Sequence, residues 1–249
     1  MLVAAAVCPH PPLIAPEVAG AAAPELDDLR DACASAIRSL AVSRPDTLVV
    51  VGDAGATRSY GPDAGGSLAP WGAAVRVGPG DPVLPLSLTI GRLLLDLAGS
   101  GAPSGYQAVA ADAPVEACSR LGAALAGRGR RVALLVMGDG SARLTVKSPG
   151  YFEPGALPYN EALARALGGA DAPALADLDP EEAAELWVAG RAAFQVLAGA
   201  ALAGHEATGH AAGAGQEDSG SGFLGELLYD GAPYGVGYLV ARWSRRDPS

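Results

Sequence analysis

Lysine is almost missing from this chain: Lys147 is the only one, and every other basic residue is arginine. The 17 basic residues face 27 acidic ones, for a formal net charge of -10. A surface of that sign repels phosphate backbones, and no basic stripe with interleaved aromatics offsets it, so nucleic acid is not expected as a partner. The same shortage argues against a polybasic membrane contact. Cysteine is scarce too. Cys8, Cys33 and Cys118 are odd in number, widely spaced and set among apolar or helical residues. That pattern argues against a disulfide framework or zinc knuckle and suits buried thiols in a reducing, cytoplasmic compartment. No purely apolar run reaches the roughly 18 residues that a spanning helix needs. The apolar start, Met1 to Val7, has no basic flank and runs straight into Cys8-Pro9-His10-Pro11-Pro12, unlike a secretion signal.

Several chemistries are missing as motifs. There is no Walker A pattern, and Gly138-x-Gly140 and Gly213-x-Gly215 do not complete a dinucleotide fingerprint. Gly220-Ser221-Gly222 does not follow a strand as a nucleophile elbow would. His205-Glu206-Ala207-Thr208-Gly209-His210 spaces its histidines five apart, so the two do not share one helical face as zinc-protease ligands do.

What is present is a core. With 249 residues, half of them hydrophobic, the chain suffices for one large domain spanning residues 1–249. Leu2 to Val7, Thr47 to Val51, Gln107 to Ala110 and Arg131 to Met137 read as short apolar strands, with Ala73 to Val77 as a further candidate. Between them, helical spacing covers Pro24 to Leu40, Leu86 to Leu97 and Val115 to Leu125. Helices are expected around Asn160 to Leu167 and Glu181 to Leu202, the latter broken near Gly190, with a helix start in Asp177 to Glu182. Arg58 to Trp71 reads as a long loop and His205 to Gly222 as a flexible one. Phe223 to Tyr229 and Val236 to Trp243 form a closing hairpin. The alternation predicts a three-layer α/β/α domain with a largely parallel central sheet and a C-terminal antiparallel pair.

Two strands end in Gly-Asp, at Gly52-Asp53 and Gly138-Asp139, and His10 lies just past a third. Open α/β sheets collect ligands at the carboxyl ends of their strands, so one imidazole and two carboxylates are expected to converge there. Such a set suits a divalent metal or acid/base work. The plainer reading is that each aspartate holds the N–H groups of a neighbouring loop.

The segments Cys8-Pro9-His10-Pro11-Pro12-Leu13-Ile14, Gly138-Asp139-Gly140-Ser141-Ala142-Arg143-Leu144 and Ala232-Pro233-Tyr234-Gly235-Val236-Gly237-Tyr238 together resemble the class III extradiol ring-cleavage dioxygenases of the LigB-like type, with the related Memo-like proteins. The resemblance covers nearly the whole chain. It implies an Fe(II) held by two histidines and a glutamate, a further acid/base histidine, and ring cleavage of a small phenolic or catecholic substrate. His10 matches the first metal position. Asp53 stands at the second, so His10 and Asp53 are the metal candidates. Asp139 and Ser141 keep the Gly-Asp-x-Ser turn, as candidate catalytic, cleft-lining residues. The acid/base histidine is replaced by Ala142, and a Memo-like Cys-Gly-Arg-His stretch by Ala189-Gly190-Arg191-Ala192. Arg191 and Tyr234 are candidates for substrate binding, and Glu206, Glu217 and Glu226 for the glutamate ligand. With most ligands exchanged, the resemblance implies a degenerate site. The alternatives are a site rebuilt on His10, Asp53 and a residue from His205 to Glu217, or a non-catalytic binding or scaffold role. For the latter, the apolar stretch Leu68 to Trp71 offers a contact for a homo-oligomer or partner chain.

Overall fold

The computed structural model describes residues 1–206 and 222–246. In chain order its strands and helices are β1 (Leu2–Cys8), α1 (Pro16–Ala19), α2 (Asp27–Val42), β2 (Thr47–Ala54), β3 (Arg58–Tyr60), β4 (Gly66–Ser67), β5 (Arg76–Val77), α3 (Leu86–Leu97), β6 (Gly105–Ala110) and α4 (Val115–Ala126). They continue with β7 (Val132–Met137), α5 (Ala156–Gly168), α6 (Ala172–Ala176), α7 (Pro180–Glu185), α8 (Arg191–Glu206), β8 (Phe223–Gly231) and β9 (Tyr238–Arg245).

Seven strands form one sheet in the order β3-β6-β2-β7-β1-β9-β8. The inner four, β6-β2-β7-β1, are parallel, and β9 and β8 extend the sheet antiparallel beside β1. β1 and β7 are buried along their whole length, which is why they read as unbroken apolar runs and not as alternating ones. Each face of the sheet has its own core. On one side Val7, Val49, Val51, Leu134 and Val136 meet α4, α5, α6 and α8 through residues such as Leu163, Phe194 and Leu197. On the other, Ala6, Val50, Leu135 and Met137 meet α2 and α3 through Cys33, Ile37, Leu88 and Leu94. The result is the three-layer arrangement expected.

The connections create a crevice. The chain moves outward from β1 to β2 through α2, then from β2 to β6 through α3, and both helices pack on one face. It then returns through α4, on the opposite face, and inserts β7 between β2 and β1. Right-handed crossovers require that change of face when the direction reverses. The carboxyl ends of β2, β7 and β1 lie side by side where it happens, which is where such sheets hold ligands.

Some boundaries and short elements differ from expectation. Helix α2 begins at Asp27, because Gly20–Leu26, with Pro24 inside it, winds as a 3-10 segment first. The expected loop from Arg58 to Trp71 contains β3, which pairs antiparallel with β6, and β4, which pairs with the two-residue β5 in a separate ribbon. The expected strand from Ala73 to Val77 therefore shrinks to Arg76–Val77 and stays outside the main sheet. Leu68 is fully buried, so Ala69, Pro70 and Trp71 alone expose that stretch. All three cysteines are buried and free. Among the described residues no helix is long and apolar enough to cross a membrane.

Candidate ligand-binding cleft

β1, β2 and β7 each deliver one polar side chain to the crevice. Asp53 stands near the end of β2, at a point where Gly52 lets α3 approach closely: a Cβ on Gly52 would lie 2.5 Å from Ser87 Oγ. That hydroxyl donates to the Asp53 carbonyl at 2.7 Å and fixes the strand end. His10 follows β1 and is 7% exposed. Asp139 follows β7, and its Oδ1 accepts the His10 backbone N–H at 2.8 Å.

The three therefore converge. His10 Nε2 lies 3.2 Å from Asp53 Oδ1, and Nδ1 of the same ring lies 3.7 Å from Asp139 Oδ1. The first contact is within ion-pair reach but its angles do not make a hydrogen bond, so Nδ1 of His10 and Oδ1 of Asp53 are both buried and without one. Burial raises the Asp53 carboxyl above the usual carboxylate range; the His10 ring opposes that and the charge of Asp139 adds to it. A buried acceptor with a raised pKa is a group that exchanges a proton with whatever reaches it.

Asp53 is also where the crevice opens. It lines a cleft of about 640 Å³ with Ala111, Ala142, Pro180, Trp187, Val188 and Arg191 among its walls. The walls are mostly apolar, with Asp112 and Glu181 at the rim. Trp187 is 54% exposed and holds φ at 54°, in the left-handed region that a bulky side chain rarely adopts. It sits in the break between α7 and α8, where Trp187 N–H donates to the Ala184 carbonyl and Gly190 N–H to that of Asp139. Gly190 is required there: a Cβ would lie 2.3 Å from the Phe194 ring and 2.9 Å from the Asp139 carbonyl. Ala142 and Ala189, the positions where the resemblance implies an acid/base histidine and a metal-site cysteine, both line this cleft.

Other hollows are less suited. One of about 680 Å³, beside Pro45, Leu48 and Ser100, lies toward the amino end of β2, away from the three converging groups. A groove of about 300 Å³ between α2 and β8 contains Glu226 and Arg242, which already pair at 2.6 Å.

The remaining candidates fall elsewhere. Ser141 is fully buried; its hydroxyl donates to the Leu186 carbonyl at 2.6 Å and accepts the Arg143 N–H at 3.1 Å. It ties the turn after β7 to the α7–α8 break and does not face the cleft. Tyr234 does not border the cleft either, since its hydroxyl donates to Glu25 at 3.0 Å on the opposite face of the sheet. Its loop still matters, because Gly140 N–H donates to the Gly237 carbonyl and Gly237 N–H to that of Ser141, both at 2.8 Å, so the second and third motifs brace each other. Tyr238 carries no signal of its own in the sequence beyond its place in the third motif. It is buried, and burial, followed by the charge of Asp139, pushes its phenol up. Arg191 does line the cleft. Its guanidinium donates to the carbonyls of Ala113 (2.7 Å) and Ala111 and to Gln195 Oε1 at 2.8 Å.

His10 and Asp53 supply one imidazole and one carboxylate, and the other ring nitrogen of His10 is turned to Asp139. Among the described residues no group of three or more His, Cys, Asp or Glu side chains is arranged to hold a metal ion. The donors present do not fit the three-ligand iron centre that the resemblance implies. Glu226 is engaged with Arg242. Glu217 and the rest of residues 207–221 lie outside the described residues, as do the side chains of His205 and Glu206 at the end of α8.

No family model matches the chain, and no curated protein matches it. Among solved structures it is similar to the uncharacterized protein JW3007 from Escherichia coli K12, at 16% identity and a TM-score of 0.53. The match covers 96% of this chain and 99% of that one, so the two share a fold from end to end.

Proposed function

We propose that this is a class III extradiol dioxygenase-like domain with a degenerate metal site, which binds a small phenol-type molecule in the cleft beside Asp53. The observation that carries the reading is the buried, unbonded Oδ1 of Asp53 at an apolar cleft of about 640 Å³. That volume is in the range of small-molecule sites, and one polar group among apolar walls is their usual composition. A phenol places its ring against Trp187, Val188 and Pro180 and offers its hydroxyl to Asp53. His10, behind Asp53 and backed by Asp139, shares the proton that the carboxylate takes up. The chemistry this supports is proton exchange with a bound hydroxyl. Ring opening through iron is not part of it, because the donor set for iron is incomplete among the described residues.

The test uses fluorescence. The chain has three tryptophans, and Trp187 is the one in the cleft. Titration with phenol, excited beyond the phenol absorption band, is expected to quench the wild type saturably and to leave Trp187→Phe unresponsive. Asp53→Ala should weaken binding about tenfold, the loss of one hydrogen bond to a charged group. Quenching that does not saturate, or an affinity unchanged in Asp53→Ala, would overturn the reading.

A further inference from the structure

Arg191 is 4% exposed, and among the described residues no carboxylate lies within ion-pair distance of it. Its hydrogen-bond acceptors, the carbonyls of Ala111 and Ala113 and the amide oxygen of Gln195, are all neutral. The Cys118 thiol nearby is no counter-charge, because burial pushes it up despite the guanidinium. A guanidinium taken out of water without an anion is costly, and neutral partners repay only part of that cost. The surroundings add to the positive field. Arg191 opens the 16-residue helix α8, whose first turn contains no acidic residue, so the positive end of the helix dipole points the same way. Arg191 also lines the cleft. The acidic residues of the cleft do not compensate. Asp112 and Glu181 are exposed at its rim, where water screens them, and Asp53 is shared with His10.

We propose, building on the cleft reading above, that the natural ligand is an anion, an aromatic or similarly apolar body bearing a carboxylate, and that Arg191 together with the amino end of α8 receives that carboxylate. The apolar walls hold the body, Asp53 meets a hydroxyl on it, and the guanidinium gains a counter-charge that its protein neighbours do not supply. The planar fork of arginine suits a carboxylate, for which it can present two parallel donors.

Isothermal titration of the whole chain with benzoate, its neutral isostere benzamide, and phenol tests this without altering the fold. Benzoate is expected to bind about tenfold tighter than benzamide, as one charge-assisted contact warrants. Arg191→Gln should abolish that preference. Gln195→Ala loosens the same cluster of loop carbonyls but keeps the cation, so it should retain the preference; this separates a ligand-receiving role from a purely structural one. Equal binding of benzoate and benzamide, with phenol still bound, overturns the anion proposal and leaves the cleft reading standing. A preference that survives in folded Arg191→Gln also overturns it. Failure of all three compounds to bind removes both.

Discussion

Asp53 ends the buried apolar run of β2 with a carboxylate that is largely out of water and lacks a hydrogen bond at Oδ1. Its folded-state pKa lies above the unfolded value, so between the two the folded chain holds the extra proton. Stability therefore falls as pH rises through that window and is regained on acidification toward 3.8, the ordinary value. Asp53→Asn removes the charge that burial penalises. Its melting temperature should exceed that of the wild type at neutral pH, and the difference should vanish below 3.8. A difference independent of pH would show that Asp53 is not strained by burial. Ser141 gives the opposite kind of residue: a motif position whose hydroxyl is spent on structure. Ser141→Ala leaves the Leu186 carbonyl and Arg143 N–H without that partner and should cost about 1–3 kcal/mol in urea unfolding. The sequence marks Ser141 as a site residue by its place in a turn, but which backbone groups it meets depends on α7 lying across that turn, which no local pattern reveals.

At the level of elements, the cleft depends on how α8 is seated. Helices α4 and α8 cross at Gly122 and Gly199, where the backbones themselves touch: a Cβ on Gly122 would lie 2.1 Å from the Val196 carbonyl, and one on Gly199 would lie 2.4 Å from that of Ser119. Backbone cannot yield as a side chain can, so Gly122→Ala should destabilise the fold by roughly 1–3 kcal/mol or more. Because α8 begins with Arg191 and follows the turn that holds Trp187, the same variant should also weaken phenol quenching. Unfolding and fluorescence titrations of one preparation check both effects. The broken helix is visible in the sequence through Pro180 and Gly190, whereas α6 is not: five residues capped by Asp171, whose side chain accepts the Ala174 N–H at 3.0 Å, leave too short a trace of periodicity.

Across the whole molecule, the strands and the convergence of His10, Asp53 and Asp139 are legible in the sequence because a parallel sheet buries both faces of its strands and aligns their carboxyl ends. The cleft wall is not. Trp187 reaches it through a left-handed backbone angle, and Arg191 is placed by the carbonyls of Ala111 and Ala113, 80 and 78 residues away in sequence. Tyr234 falls outside the cleft for a similar reason, since its partner Glu25 is 209 residues distant. The same geometry bears on iron. Protein loaded anaerobically with Fe(II) and desalted should retain well under one iron per chain by elemental analysis, with no further loss in His10→Ala. Stoichiometric iron that His10→Ala removes would return the metal to the centre of the site.

Whether a phenol sits beside Asp53 and Trp187 is tested most directly by soaking crystals with 4-bromophenol and locating the bromine from its anomalous scattering. A peak within the cleft is expected, with the phenol oxygen in hydrogen-bond reach of Asp53 Oδ1. A peak confined to another hollow, or none in the cleft at saturating ligand, would contradict the proposed binding mode.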